Sequence, residues 1–205
     1  MTAGTFSDRC AVSRARREGL TTIAVHFRNG DVARASRAGN ELCADPSGAC
    51  AQRLTKSASL VPLLQPVTRL PARCARLLLV TEDGEDNEAR SFVRHIEQTS
   101  RGAVPVEVLS SQLCRGACAL STLTHSDLVV AGMSSFAYLA AVLAQNSSIV
   151  AFGPLLGEET EGSGHWRLRQ EQSGRPKASV VTTAAALEQA LRAKLQPKCW
   201  PRSRA

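Results

Sequence analysis

The sequence predicts an α/β fold, one domain in which a mostly parallel sheet is covered by helices. Three observations predict it. Short and nearly continuous apolar runs recur along the chain, stretches with helical spacing lie between them, and 205 residues suit one packed domain. Strands buried on both faces read as apolar throughout rather than alternating, and that is the pattern here.

The first run, Thr21–Phe27 (TTIAVHF), is β-branched and apolar enough for a buried strand. Between Asp45 and Glu82 there are five basic residues and no acid, and Pro62, Pro66 and Pro71 interrupt the segment. One poorly defined helix followed by extended chain is expected there. Leu77–Thr81 (LLLVT) predicts the second strand. Glu88–Thr99 predicts a helix with Phe92, Val93 and Ile96 on one side. Val104–Leu109 and Leu128–Ala131 predict two further strands. Ser135–Gln145 is apolar nearly all round, which predicts a buried helix capped by Ser134. Ser148–Phe152 and, more weakly, Ser179–Thr182 complete the strands. Thr183–Leu195 places Leu187, Leu191 and Leu195 on one stripe, behind a cap at Thr182 or Thr183. Outside this core, residues 1–20 read as an Arg-rich, disordered arm and 197–205 as a basic tail, leaving 21–196 as the domain. Gly157–Gly174 reads as a long polar loop within it.

A 43% hydrophobic and 21% charged composition excludes a disordered or collagen-like chain. No apolar run approaches the roughly 18 residues of a membrane span, and MTAGTFSDRC lacks the apolar core of a signal peptide. No membrane span is therefore expected. The default location is the cytoplasm, or the Golgi or ER lumen if the chain is a piece of a longer secretory-pathway enzyme. The net charge of +7 is almost all arginine, 21 Arg against 4 Lys. Arginine binds phosphate bidentately, but 30 alanines beside it also fit a codon bias toward both residues. Aromatics at 4% argue against a single-strand nucleic-acid platform, so no specific nucleic acid is expected.

Seven cysteines, an odd number without a signal peptide, do not make a disulfide framework, and reduced thiols are expected. Cys43 and Cys50 could close a small ring in an oxidising compartment. Cys114 and Cys118 would share a helix face, but no second pair with zinc spacing accompanies them, so no metal is expected.

In a doubly wound sheet, ligands bind at the carboxyl ends of the strands near a topological switch point. The first strand ends in His26-Phe27-Arg28-Asn29-Gly30-Asp31, the second in Thr81-Glu82-Asp83-Gly84, and the fourth leads through Ser134-Ser135-Phe136 into a helix. Alternation puts His26 and Arg28 on one face, where an imidazole and a guanidinium fork suit a diphosphate. Gly30 permits a tight turn and Asp31 can orient Arg28. The same residues also fit a strand-end ion pair between Arg28 and Asp31 beside a surface histidine. Ser134 and Ser135 offer hydroxyls and free N–H groups at a positive helix end, suited to an anion, or simply an N-cap. Of the other histidines, His95 reads as surface and His125 as structural. His165 and Trp166 fit an acceptor contact or a loop docked on the core.

IAVHFRNGDV, LLLVTEDG and HSDLVVAGMSSFAYLAAVL, in this order, resemble the three motifs of the fucosyltransferase superfamily with the GT-B fold. That superfamily includes α-1,2- and α-1,6-fucosyltransferases and protein O-fucosyltransferases. The likeness runs from about Thr21 to Phe152. It implies a Rossmann-like domain equivalent to the C-terminal, nucleotide-sugar-binding half of such an enzyme. It also implies metal-independent transfer of a sugar from a nucleoside diphosphate, GDP-fucose in the family, to a glycan or protein hydroxyl. On this resemblance His26 and Arg28 contact the nucleotide and its β-phosphate. Arg28 is the catalytic residue, Thr81, Glu82 and Asp83 line the pocket, and Ser134, Ser135 and Phe136 wrap the diphosphate. No cofactor is implied beyond the donor substrate. The chain departs from the pattern at Ala119, where some relatives carry the aspartate that holds guanine. It shows no general base, and the acceptor-binding half would lie in a missing domain or a partner chain. The alternatives are a non-catalytic nucleotide-sugar- or glycan-binding module and a basic nucleic-acid-associated protein.

Overall fold

The computed structural model describes residues 18–28, 57–71, 74–84, 86–131, 134–143, 148–151, 180–181, 183–195 and 199. Eleven elements run along these residues. They are β1 (Thr21–Phe27), α1 (Ser57–Thr68), β2 (Ala75–Thr81), α2 (Asn87–Ser100), β3 (Val106–Ser110), α3 (Gly116–His125), β4 (Leu128–Ala131), α4 (Ser135–Leu143), β5 (Ser148–Ala151), β6 (Val180–Val181) and α5 (Ala184–Lys194). All six strands join one sheet in the order β3-β2-β1-β4-β5-β6, and every pairing is parallel. The α/β fold read from the sequence is the fold of the protein. The chain moves outward from β1 through β2 to β3, then returns to the other side of β1 to build β4, β5 and β6. The switch point lies between β1 and β4.

The sheet separates two cores. Ile23, Val25 and Phe27 of β1, with Leu77, Leu79, Leu128 and Val130, face a layer built from α1, α2 and α5. Ala24, Leu78, Val80 and Val129 face α3 and α4. β1 is therefore buried along almost its whole length, which is why its sequence shows no polar alternation. Phe92 and Ile96 of α2 and Leu187 and Leu191 of α5 enter the first layer, as their helical spacing predicts. His95 is exposed on α2.

Two sequence expectations change in this layer. The Pro-broken segment forms a regular helix, α1, with Pro62 and Pro66 inside it. Each proline removes one helical hydrogen bond, yet Leu60, Leu64 and Val67 are fully buried and hold the helix against the sheet. Glu88 of α2 also accepts hydrogen bonds from the Ser57 N–H (2.9 Å) and hydroxyl (3.0 Å), tying the start of α1. Packing outweighs propensity.

The second change is covalent. Cys74 and Cys199 form a disulfide across 125 residues, with Cα atoms 5.4 Å apart. Both belong to the buried layer under α1 and α5, so this part of the expected tail is core. Spacing along the chain carried no sign of the pairing, because only the fold brings the two residues together. Of the N-terminal arm, Glu18 is described and pairs with Arg76 at 3.3 Å. Residues 1–17 of the arm, Cys43, Cys50, the polar loop with His165 and Trp166, and the remainder of the tail lie outside the described residues.

At the amino ends of the central strands, Asp127 and Thr22 lock β1 to β4. The Asp127 carboxylate accepts from the Thr22 N–H (2.8 Å) and hydroxyl (2.9 Å), while the Asp127 N–H donates to the Thr22 carbonyl (3.0 Å). This fixes the register of the two strands whose opposite ends flank the switch point. His125, at the end of α3, is exposed and lies within hydrogen-bond distance of the Ser121 carbonyl (2.9 Å).

Candidate anion-binding cleft

The strand ends are level with one another. His26 stands opposite Val80, Phe27 opposite Thr81, and Thr81 opposite Ser110. A cleft of about 300 Å³ opens above them, lined by residues that include His26, Arg28, Thr81, Glu82, Ser134 and Phe136. Three segments that the sequence marked separately thus meet in one place. It lies at the carboxyl edge beside the switch point, where an open α/β sheet leaves a crevice.

Strand alternation fixes the first two side chains. Phe27 points into the α1/α2 layer and packs on Phe92, ring centroids 5.8 Å apart. Its neighbours His26 and Arg28 therefore point to the other face. His26 is only 6% exposed, and its ring lies against Phe136 at 5.6 Å and 36°. Arg28 extends past it, and its Nη1 donates to Ser134 Oγ at 3.4 Å.

Ser134 is the N-cap of α4, and its Oγ also accepts from the Phe136 N–H at 3.2 Å. Both of its lone pairs are engaged, so its hydroxyl proton can only be donated to a third group. Ser134 is 4% exposed and sits where α4 presents its positive end. A guanidinium, a committed hydroxyl donor and a helix N-terminus converge on one wall. That combination recognises phosphate oxygens.

The second-strand segment divides. Glu82 lines the cleft, and Thr81 lines it while donating its hydroxyl to the Asp83 carbonyl at 3.3 Å. Asp83 is exposed and lies outside the lining, so its part is to shape the turn. Asp86 caps α2 by accepting from Glu88 and Ala89 N–H groups. Gly84 makes a close approach: a Cβ there would meet Val108 Cγ1 at 3.2 Å, tighter than ordinary contact, and Ser110 Cβ at 3.4 Å. Gly30 and Asp31 lie outside the described residues, as does the side chain of Ser135. Arg28 is seen engaging Ser134.

The third wall was not singled out as a site from the sequence. It comes from the end of β3 and the start of α3: Ser111, Cys114, Gly116 and Ala119. Ser111 donates to the Glu82 carbonyl at 2.7 Å, stitching the β2 and β3 ends together. The carboxyl-edge rule applied to the third strand would have found this segment. Only the departure at Ala119 pointed there, and Ala119 is buried in the wall. Cys114 and Cys118, expected as reduced thiols, form a disulfide with Cα atoms 5.2 Å apart at the start of α3. One of their sulfurs belongs to a cleft residue.

Among the described residues, no group of three or more His, Cys, Asp or Glu side chains is placed to hold a metal ion. Among them, too, no helix is long and apolar enough to cross a membrane. Scanned against protein-family models and curated proteins, the chain matches none.

Proposed function

We propose that this domain binds a nucleoside-diphosphate sugar and serves as the donor half of a glycosyltransferase of the fucosyltransferase type. One observation carries the reading: Arg28 reaches Ser134 at the N-terminus of α4, beside the switch point of the sheet. The diphosphate would lie along Arg28 and the first turn of α4, with His26 and Phe136 flooring the cleft. In sugar transfer, negative charge grows on the departing nucleoside diphosphate. A fixed guanidinium and a helix N-terminus stabilise that charge more in the transition state than in the bound donor. Arg28 is therefore the catalytic residue of the reading. The acceptor, a glycan or protein hydroxyl, would be brought by a further domain or a partner chain. GDP-fucose is the donor suggested by the motifs, with Ala119 in the wall where guanine recognition is expected. Two disulfides favour an oxidising compartment such as the Golgi or ER lumen.

The test is calorimetric titration of GDP, UDP and ADP and their sugars into the wild-type chain and Arg28→Ala. Saturable binding that weakens at least about 30-fold in Arg28→Ala is expected, the value of a lost charge-assisted contact. Failure of every nucleoside diphosphate to bind at millimolar concentration would sink the reading. Binding without sugar transfer or donor hydrolysis, when the acceptor half is supplied, would leave a non-catalytic binding module. Binding of any polyanion with a steep loss between about 50 and 200 mM salt would instead identify a nucleic-acid-associated protein.

A further inference from the structure

We propose that the Cys114–Cys118 disulfide is a reducible site whose cleavage loosens the α3 wall and weakens ligand binding. The second half of this rests on the reading of the cleft given above.

The argument starts from how the helices begin. α2 is capped by Asp86, α4 by Ser134 and α5 by Thr183, each through a side-chain oxygen that accepts a backbone N–H. The start of α1 is tied by Glu88. The N-cap of α3 is Arg115, which makes no side-chain capping bond. In its place, the disulfide links Cys114, just before the helix, to Cys118 in its first turn. The bond spans only four positions, so it constrains the unfolded chain far less than Cys74–Cys199 does. Its main effect is local, holding the turn that presents Cys114, Gly116 and Ala119 to the cleft.

Access separates the two bonds. Cys74 and Cys199 are 7% and 4% exposed. Cys118 is half-buried and follows three exposed residues, Arg115, Gly116 and Ala117, whereas Cys114 is 3% exposed. A reducing dithiol therefore attacks the Cys118 sulfur as thiolate, and the Cys114 sulfur leaves as thiolate. The second thiolate of the reductant then displaces the Cys118 sulfur. The reductant departs as a disulfide, and both cysteines are left reduced. Reduction removes the covalent tie that holds the first turn of α3. A ligand that needs the ordered wall then binds less tightly and, by linkage, protects the bond from reduction.

The experiment titrates the full chain with dithiothreitol, traps thiols with iodoacetamide and maps them by peptide mass spectrometry. Hydrogen exchange of the α3 amides and GDP titration follow at each stage. Cys114 and Cys118 are expected to be trapped before Cys74 and Cys199. Residues 116–119 should then exchange about 10-fold faster, with α4 unchanged. GDP should bind about 5-fold more weakly, and Cys114→Ser/Cys118→Ser should show the same loss without reductant. Simultaneous reduction of both disulfides, or unchanged exchange in α3, would overturn the site. Unchanged GDP affinity after selective reduction would overturn its coupling to the cleft. An oxidised chain that binds no diphosphate would remove the donor reading, while trapping and exchange still decide the redox site.

Discussion

The two faces of the sheet use the same strand for different ends, and adjacent residues of β1 show it best. Phe27 is fully buried against Phe92, in a layer formed by three helices and sealed by a long-range disulfide. His26, one residue earlier, rests on Phe136 beneath an open cleft, in a smaller core formed with α3 and α4. The first face buries large aliphatic and aromatic side chains. The second buries Leu78, Leu123 and Val129 beside small residues, Ala24, Ala119, Ala137 and Ala140, and carries polar groups at the rim of the cleft. α4 follows this division: Ala137 and Ala140 are fully buried while Leu139 is 44% exposed, so the helix is less enclosed than its apolar sequence predicts. The three-helix layer and the long-range disulfide lie on one face, and the cleft opens on the other.

Substitutions can break or sharpen this contrast. The largest effect is expected for Phe92→Ala, which removes the ring facing Phe27 and should cost about 4 kcal/mol in a urea unfolding titration. Its diphosphate affinity, measured on the folded fraction, should stay near wild type. Cys74→Ser/Cys199→Ser should cost about 3 kcal/mol in the same titration, more than the pair at the cleft, because its loop is much longer. An equal loss from both cysteine pairs would remove the distinction between a staple and a local clamp. On the other face, Ser134→Ala should cost about 1 kcal/mol of stability as a lost helix cap. The same change should weaken GDP binding about 10-fold, since it also removes a partner of Arg28. A variant that loses stability but binds normally would reduce Ser134 to a cap alone. The smallest effect is a gain. Arg101 ends α2 at φ 52°, in the left-handed region, and Arg101→Gly should raise stability by about 0.5–1 kcal/mol in thermal unfolding.

Much of the architecture was legible in the sequence for a simple reason. Strands buried on both faces leave nearly continuous apolar runs, and the amphipathic helices leave stripes such as Leu187, Leu191 and Leu195. The cleft was legible where its lining sits directly at a strand end, as with His26, Arg28 and Glu82. Ser111 and Gly116 have the residue types of any turn, so only their place beyond the carboxyl end of the third strand marks them. α1 was not expected as a regular helix, since the prolines speak locally and the packing of Leu60, Leu64 and Val67 does not.

By itself, then, the sequence determined the fold class, most strand and helix positions, and the polar segments at the carboxyl edge. These depend on periodicity and local chemistry, which a linear chain displays. Tertiary structure alone decided that Cys74 meets Cys199, that Asp127 locks onto Thr22, and that Arg28 reaches Ser134. Each of these pairs lies more than a hundred residues apart along the chain. Their energies exist only once the sheet order has brought the partners within a few ångströms.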